Sequence, residues 1–589
     1  MKIFDASISY KASVFLKETL RNISSFELAN QKLVDVCGIK YFFPNSDDFT
    51  SVLNLLEETN ENLLEEPDRE EYGDFQTNEN LAKQVTESLS TKGTSPKLLI
   101  EPTCGKGNFI IASLGIFKEI KTIIGIEVYK PYVWETKFNI LDFFLSNLNS
   151  NKPEITIIHL SVFDFDFHKI SKQFPKDDLL IIGNPPWVTN SKLGSLNSTN
   201  LPKKQNFKNQ NGLDAITGKG NFDIAEYIII MLLEAFQTHN GTLSLLVKNS
   251  VIKNIVFEQK SKKFQIKQLE KYNIDSKKEF NVSVEASLLY CKLNAEPTFD
   301  CEEFDFYTIK HKLKFGWLSS KFVSNIDNYI ETSQIDNICP FIWRQGIKHD
   351  CTAIMELEKL NSHFINNLSQ DVFIEQDLVF GLLKSSDLKN TVIKETRKYT
   401  IVTQKKVGQA TNYIKELYPK TYDYLNSNLS RFMDRKSSIY IGKPMFSIFG
   451  IGDYSFKPYK VAISGLYKTY HFTLVLPQNG KPVMLDDTCY FIGFENIEFA
   501  VYSIILLNSK ITEEFLKSIT FADAKRVFTK ELLMRLDLYK IAQLIPKQEI
   551  DKQILILNNK YSLNIDSSKW SEFLDKMSPK QETQISMFV

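Results

Sequence analysis

Apolar positions between residues 90 and 295 form short, nearly unbroken runs separated by helical stretches. The runs lie within PKLLIEPTCG, TIIGIEV, ITIIHLSVFDF, DLLIIGNPPW and GTLSLLVKNSVI, and FDIAEYIIIMLLEAF is a typical helical stretch between them. Strands that are apolar on both faces are typical of parallel sheets covered by helices. The pattern therefore predicts an α/β, Rossmann-like fold with a mostly parallel, doubly wound sheet.

The regions on either side of residues 90–295 have different patterns of apolar residues. The segment ASVFLKETLRNISSFELANQKLVDV carries apolar residues at helical spacing, and so does Asn80–Leu89. Beyond residue 305, strand-like pieces alternate with helical ones, among them KPMFSIFGIG, KVAISGLY and YHFTLVLP. We therefore expect three parts: a helical cap at 1–70, a catalytic domain at 71–300, and a mixed α/β domain at 305–589. The polar stretch Thr189–Gly220 predicts a long loop.

Charge is balanced over the whole chain but not locally. The 589 residues contain 71 Lys+Arg and 71 Asp+Glu, which excludes a uniformly basic surface. Nucleic-acid binding needs only a local patch, and Thr391–Gly480 has 14 basic against 5 acidic residues. The acidic run Glu57–Asp74 is typical of a solvated face or linker.

Cysteine and histidine usage predicts neither disulfides nor metal. The seven cysteines are widely spaced without a CxxC pair, and the seven histidines are dispersed. We also find no apolar run of transmembrane length and no targeting segment. These features favour a cytoplasmic protein that has no membrane contact and no metal.

A glycine-rich turn follows the first strand-like run. In Glu101–Phe109, EPTCGKGNF, Gly105 and Gly107 permit a tight strand-to-helix turn and a close approach of a ligand to the backbone. The turn lacks the GxGxxG spacing and a Walker lysine, so by itself it is compatible with a nucleotide site or with none. Glu101 suits a ligand carrying an ammonium group. Glu127, about 20 residues further on, ends the next strand, where an acid can accept hydrogen bonds from ribose hydroxyls or simply face solvent.

The sequence NPPW closes another predicted strand. The two prolines restrain the backbone where the chain leaves the sheet. This presents the Asn184 side-chain oxygen and the Pro185 carbonyl, two acceptors that together could hold both hydrogens of an NH2 group. Trp187 offers a flat face to a planar base.

Together, GDFQT at 73–77, EPTCGKGNF, GIE, SVFDF and NPPW resemble the gamma-class, TaqI-type adenine-N6 DNA methyltransferases of restriction-modification systems. The order of the motifs agrees with that class, and the resemblance covers about residues 70–295. The stretch SIFGIGDYSFKPYKVAISGLYK also resembles target-recognition domains of such enzymes. Asn78 departs from the family pattern, which has a proline there.

The resemblance implies that S-adenosylmethionine is the cofactor. The expected contacts are Phe75, Gln76, Thr77, Glu101, Thr103, Cys104, Gly105, Gly107, Asn108, Glu127, Ser161, Val162 and Asp164. The family's acidic residue near the cofactor adenine aligns with either Ser161 or Asp164. The expected catalytic group at a flipped adenine is Asn184, Pro185, Pro186, Trp187 and Phe280.

Double-stranded DNA is the partner that the resemblance implies, for a monomeric modification enzyme with a separate cognate restriction endonuclease. The C-terminal domain would choose the DNA sequence. Its expected phosphate contacts are Lys405, Lys406, Arg435, Lys436, Lys457 and Lys460. Three alternatives remain open from the residues alone: an RNA-base methyltransferase, a protein-glutamine methyltransferase and a bifunctional restriction-modification enzyme.

Overall fold

The computed structural model describes residues 7–57, 75–189, 223–361, 363–521 and 526–578. Most of the acidic run, Gly73 and Asp74 of GDFQT, and nearly all of the predicted Thr189–Gly220 loop lie outside these residues. The chain divides into two compact units, Met1–Phe322 and Val323–Val589. Among the described residues, no helix is long and apolar enough to span a membrane.

A ten-stranded sheet organises the first unit, in the order β10-β9-β8-β6-β7-β5-β4-β1-β2-β3. The pairs β2–β3, β1–β2, β1–β4 and β4–β5 are parallel, whereas β7 runs antiparallel to both β5 and β6. The strands are β1 (Leu98–Glu101), β2 (Thr122–Glu127), β3 (Glu154–His159), β4 (Leu179–Gly183), β5 (Gly241–Lys248), β6 (Ile266–Asn273), β7 (Ala286–Leu293), β8 (Asp300–Asp305), β9 (His311–Leu318) and β10 (Lys321–Val323).

Ten helices accompany this sheet in the described part of the unit. Three precede it, and the others connect its strands or lead into them. They are α1 (Tyr10–Leu20), α2 (Phe26–Cys37), α3 (Ser46–Glu57), α4 (Glu79–Thr91), α5 (Asn108–Ile116), α6 (Lys130–Ser146), α7 (Phe167–Gln173), α8 (Ile224–Phe236), α9 (Asn249–Lys262) and α10 (Ser276–Phe280).

The apolar runs form the central strands because both faces of the sheet are covered. Every residue of β1 and β4 is buried, and so are most residues of α8. The predicted α/β fold with a mostly parallel sheet is confirmed. A domain boundary at residue 300 does not describe this unit well, because β8 pairs with β6 and extends the same sheet beyond that point.

The N-terminal helices share the core of the first unit. Leu16 of α1 and Leu33 of α2 belong to the same buried apolar cluster as Phe138 and Phe144 of α6. The buried ammonium of Lys137 donates to the Phe42 carbonyl at 2.8 Å. The residues predicted as a separate cap therefore pack into the same unit as the ten-stranded sheet.

Two smaller sheets form the second unit. A five-stranded sheet has the order β11-β21-β18-β19-β16 and a six-stranded sheet the order β14-β13-β12-β17-β15-β20. The strands are β11 (Arg344–Gln345), β12 (Glu356–Leu360), β13 (His363–Asn366), β14 (Asp371–Val372), β15 (Val379–Leu383), β16 (Val392–Ile393), β17 (Lys398–Ile401), β18 (Tyr459–Ser464), β19 (Thr473–Val475), β20 (Met484–Leu485) and β21 (Cys489–Phe494).

Helices complete the mixed α/β character of the second unit, as predicted. They are α11 (Ile326–Thr332), α12 (Thr352–Met355), α13 (Tyr413–Leu417), α14 (Pro419–Ser427), α15 (Leu429–Met433), α16 (Ile497–Leu507), α17 (Lys510–Ile519), α18 (Lys530–Leu533), α19 (Leu538–Leu544), α20 (Lys547–Tyr561) and α21 (Trp570–Met577). The segment KPMFSIFGIG is not a strand. Its apolar residues Phe446, Ile448 and Ile451 instead enter a core cluster from an irregular chain path.

His349 is a buried histidine of the second unit. His349 Nδ1 accepts the backbone N–H of Cys351 at 3.1 Å, and Nε2 lies 3.7 Å from Glu356 Oε1. Burial lowers the pKa of His349 to about 4, although Glu356 opposes that shift. In the unfolded chain the His349 imidazole therefore becomes protonated below about pH 6.5, whereas in the folded unit it becomes protonated only below about pH 4.

We expect stability to fall between pH 6.5 and 4 because of this group. By pH 5 the loss in the free energy of unfolding should be about 2 kcal/mol. Urea unfolding at pH 7 and pH 5 measures it, with His349→Asn as the comparison because Asn retains an acceptor near the Nδ1 position. An identical pH dependence in both proteins would contradict the assignment.

Candidate active site

A pocket lies at the carboxyl ends of β1, β2 and β4 in the first unit, the edge where parallel α/β sheets bind ligands. The structure brings most of the predicted cofactor residues to its wall. Those that line it are Phe75, Gln76, Thr77, Glu101, Thr103, Cys104, Gly105, Asn108, Glu127 and Val162, with Asn184 and Pro186 of the NPPW motif.

The glycine turn needs its glycines for backbone conformation and for space. Gly105 has φ +51°, and a Cβ atom there would lie 2.5 Å from Gln76 Oε1. Gly107 has φ +81°, and a Cβ atom there would lie 2.7 Å from Thr136 Cγ2. Gly107 is the N-cap of α5 and does not line the pocket, so the structure shows its role in shaping the turn, and its cofactor contact stays a prediction.

Glu101 is a buried acid at the end of β1. Its side chain faces the pocket, the residue is only 2% exposed, and Oε2 has no hydrogen-bond partner among the described residues. Burial raises the pKa of the Glu101 carboxyl well above its usual range, and the charge of Glu127 adds to that rise. A buried acceptor without a partner is costly, so this atom is poised for a cationic or donor group of a ligand.

Glu127 is held by the backbone around it. One carboxylate oxygen accepts the Gly105 N–H at 2.8 Å, and the other accepts the Tyr129 N–H at 2.7 Å. Each carboxylate oxygen can accept a second hydrogen bond, and the residue also lines the pocket. The carboxylate is therefore oriented before any ligand arrives.

Residues 75–78 form a strap whose first three residues line the pocket. The Lys106 N–H donates to Gln76 Oε1 at 3.2 Å, and Asn108 Nδ2 donates to the Thr77 carbonyl at 2.7 Å. These bonds attach the strap to the glycine turn. The predicted strap residues Phe75, Gln76 and Thr77 therefore share one wall with the turn.

The same strap orients Asn184. Its Nδ2 donates to the Phe75 carbonyl at 2.7 Å and to Thr77 Oγ1 at 3.3 Å, while Oδ1 is buried without a partner among the described residues. A carbonyl can only accept, so the nitrogen of the amide must face Phe75. The free acceptor of Asn184 is thereby set by the strap.

The remaining motif residues surround an aromatic cluster. Trp187 packs edge-to-face against Phe280 with ring centroids 4.9 Å apart and lies 5.3 Å from the Phe75 ring. Trp187 Nε1 donates to the Leu246 carbonyl at 3.3 Å, and Lys248 Nζ donates to the Trp187 carbonyl at 3.4 Å. Pro185, Trp187 and Phe280 do not line the cofactor pocket itself.

The region after β3 differs from the expectation. Neither Ser161 nor Asp164 lines the pocket. Ser161 caps a short 3-10 turn by accepting the Phe163 N–H, and Asp164 is exposed. Val162 and Phe163 of this turn line the pocket instead.

Several wall residues were not predicted. They are mostly apolar or aromatic and flank the predicted positions: Pro102, Phe109, Ile126, Val128, Tyr129, Tyr132, Leu160, Phe163, Val188, Ile224 and Ile228. Tyr129 and Tyr132 form an edge-to-face pair at 5.0 Å just after β2. Their position directly after Glu127 is the signal that could have identified them.

In the second unit, the predicted basic contacts separate into two groups. Lys405, Lys406 and Lys436 are exposed. Lys460 is only 1% exposed, donates to the Lys457 carbonyl at 2.8 Å, and has its pKa lowered to about 7 by burial. It is a core residue of β18, so its prediction as a phosphate contact is wrong.

Arg435 and Lys457 are also occupied within the unit. The Arg435 guanidinium donates to the carbonyls of Phe432, His349 and Ser447 and stacks on Tyr440 at 3.7 Å. It therefore joins chain segments instead of presenting a free cation. Lys457 forms an ion pair with Glu495, and this pairing weakens the attraction of Lys457 for an external phosphate.

Comparison with known sequences identifies the family of the chain. The chain is 41% identical over 480 residues to the type II methyltransferase M.NspV of Nostoc sp., which covers 81% of this chain and 98% of that protein. The chain belongs to the type II methyltransferases. The predicted methyltransferase family is thereby confirmed, whereas the adenine-N6 target stays a prediction. No protein-family model matches the chain.

The similarity of this methyltransferase to solved structures is weaker than its similarity to M.NspV. The type IIL restriction-modification enzyme MmeI in complex with DNA is 12% identical with a TM-score of 0.48, over 97% of this chain and 76% of that one. The type IIG restriction endonuclease BpuSI is 12% identical with a TM-score of 0.34, over 98% and 76%.

S-adenosylmethionine is the methyl donor of this methyltransferase, and the residues of the pocket fit it. The unpartnered Oε2 of Glu101 suits an ammonium group, and the oriented carboxylate of Glu127 suits hydroxyl donors. The apolar side chains of Ile126, Val162 and Phe163 suit a flat ring. When bound, the donor supplies an electrophilic methyl group.

Gly105→Ala should weaken cofactor binding at least about tenfold. The left-handed φ costs about 1–2 kcal/mol for alanine, and the Cβ atom must displace Gln76. Calorimetric titration with S-adenosylhomocysteine measures the affinity. Gly115→Ala is the matched control, because a Cβ atom there meets nothing within 4 Å and alanine favours the helix. Equal affinities in the two variants would show that the turn tolerates a side chain.

Proposed function

We propose that this methyltransferase transfers the methyl group to N6 of an adenine that is flipped out of duplex DNA at a specific sequence. The observation that carries the proposal is the orientation of Asn184, whose Nδ2 is used by the strap while Oδ1 remains a buried acceptor beside the cofactor pocket. An exocyclic amine offers the two N–H donors that such a site lacks.

The second acceptor of this proposal is the carbonyl of the next residue, Pro185. The carbonyl of Pro185 precedes Pro186, which has no N–H, so the chain there offers acceptors without a competing donor. Hydrogen bonds from an adenine amine to Asn184 Oδ1 and to this carbonyl would draw electron density onto N6 and localise its lone pair. The nucleophile then needs orientation and polarisation more than a strong base.

We assign the cofactor contacts to the residues that line the pocket. Glu101 would hold the ammonium of the donor, Glu127 its ribose hydroxyls, and Val162 and Phe163 its adenine ring. Phe75, Gln76 and Thr77 would cover its methionine part. This assignment rests on their places in one pocket wall.

We assign the flipped base to the aromatic cluster. The contact of Trp187 with Phe280 at 4.9 Å leaves no space for a base between the two rings, so a base can enter only when they separate. Extruding a base costs a few kcal/mol, and stacking on an aromatic side chain returns about 1–3 kcal/mol. Trp187 and Phe280 would provide that stacking.

Methylation of plasmid DNA, read at single-base resolution, tests the activity. N6-methyladenine at one sequence motif supports the proposal and defines the recognition sequence. Methylcytosine in the same DNA, or transfer only to RNA or protein, would overturn it. We further propose that the protein is the monomeric modification enzyme of a restriction-modification system with a separate endonuclease.

Asn184→Ala should lower single-turnover methyl transfer by at least about a hundredfold, while S-adenosylhomocysteine affinity changes little. A preorganised hydrogen-bond partner of the reacting group is commonly worth such a factor. Asn151→Ala is the control, since that amide is exposed and its Nδ2 donates to the Lys118 carbonyl, far from the pocket lining. Near wild-type transfer by Asn184→Ala would remove this side chain from the reaction.

We propose that the second unit binds the DNA backbone through the turn that carries Lys405 and Lys406. Both side chains are exposed. The turn is firmly held, because Gln409 Oε1 accepts the Lys405 N–H at 2.7 Å and Gln404 Oε1 accepts the Ile448 N–H at 2.8 Å. Lys436 is the further exposed cation of the predicted set.

Replacing Lys405 and Lys406 with Gln should weaken binding about equally for site and non-site duplexes. The slope of log affinity against log salt should flatten by roughly one to two units, since two phosphate contacts are lost. The matched control replaces Lys547 and Lys552 of α20, which pair with Asp551 and Glu549. If the turn variant keeps the wild-type slope, its lysines do not contact phosphates.

A further inference from the structure

Asn78 uses both ends of its side-chain amide. It is the N-cap of α4, where Oδ1 accepts the Leu81 N–H at 2.8 Å. At the other end, Nδ2 donates to Glu279 Oε2 at 2.9 Å, across 201 residues of sequence. Ser, Thr and Asp are also favoured N-cap residues, but of these residues only Asn carries an NH2 donor.

Glu279 is held from two sides. Its side chain is only 8% exposed, and Oε1 accepts the Tyr307 hydroxyl at 3.0 Å while Oε2 receives Asn78. Lys278 lies 3.8 Å from Oε1. The carboxylate is therefore a fixed anchor within α10, a helix of five residues that ends at Phe280.

The strap that ends at Asn78 contacts the cofactor pocket directly. Gln76 and Thr77 line the pocket, and both bond to the glycine turn. Phe280, one residue after the Glu279 anchor, packs on Trp187 and does not line the pocket. A continuous chain of contacts thus runs from the cofactor side of the strap to the aromatic pair.

We propose that Asn78 is a positioning residue that couples occupancy of the cofactor pocket to the placement of α10 and Phe280. A ligand that orders Gln76 and Thr77 also orders Asn78, and its Nδ2 transmits this order to Glu279. This coupling requires only that a ligand binds in the cofactor pocket. The purpose that we give it, preparing Trp187 and Phe280 for a target base, rests on the proposed function.

Hydrogen–deuterium exchange with S-adenosylhomocysteine tests the coupling without DNA or methyl transfer. In α10 the Glu279 N–H bonds to the Asp275 carbonyl and the Asn281 N–H to the Lys277 carbonyl, so amide exchange reports on its order. In the wild type, the ligand should slow exchange in the glycine turn at 103–108 and, about fivefold, in 276–281. The latter is the population shift expected from one hydrogen bond.

Asn78→Ser keeps a cap acceptor but loses the donor that reaches Glu279. It should retain ligand protection at 103–108 and lose it at 276–281. Glu279→Ala leaves the cap intact and should give the same result, so the test does not depend on one variant folding. Tyr307→Phe removes a hydrogen bond from the same carboxylate without touching the strap, and should retain protection at 276–281.

Protection of 276–281 that persists in Asn78→Ser and Glu279→Ala would overturn the proposal, as would its absence in the wild type with ligand bound. Calorimetry in parallel separates these results from a failure of the cofactor site, which would appear as no binding and would overturn both proposals. Mapping of DNA methylation is independent, so a different target base would leave the exchange result standing.

Discussion

The parallel register of β1, β2 and β4 is the constraint on which the site depends. These strands pair side by side, so their carboxyl ends meet at one edge of the sheet. Glu101 ends β1, Glu127 ends β2, and Asn184 follows β4 directly. Three polar residues separated by up to 83 positions thereby share one pocket, and the burial of the strands holds them there.

Within that frame, the polar atoms of the pocket are only partly satisfied. The strap occupies the amide nitrogen of Asn184, and backbone N–H groups donate to both oxygens of the Glu127 carboxylate. Oε2 of Glu101 and Oδ1 of Asn184 remain buried without partners among the described residues. Leaving such acceptors unpaired costs free energy, which ligand donors would recover on binding. The stability given up at these two atoms is a reason to regard them as functional.

The second unit shows why local charge is a limited guide. Residues 391–480 have a clear excess of basic residues, but tertiary packing assigns these cations to different tasks. Lys460 lies inside β18, Arg435 bonds to three carbonyls, and Lys457 pairs with an acid. Lys405 and Lys406 stay exposed because they lie on a turn. An excess of charge counts residues, whereas binding to a phosphate requires that a cation be free and accessible.

The sequence by itself determined the sheet, the glycine turn and the chemical motifs. Short, nearly uninterrupted apolar runs favour strands buried on both faces, and positive φ at a tight turn favours glycine, so both leave a local signature. It also determined the methyltransferase family, because the motifs occur in a fixed order. The tertiary structure alone decided the rest: which way the Asn184 amide faces, that Val162 and Phe163 rather than Asp164 reach the pocket, and which lysines are buried. Each of these depends on contacts between residues far apart in the chain, and such contacts leave no pattern in the local sequence.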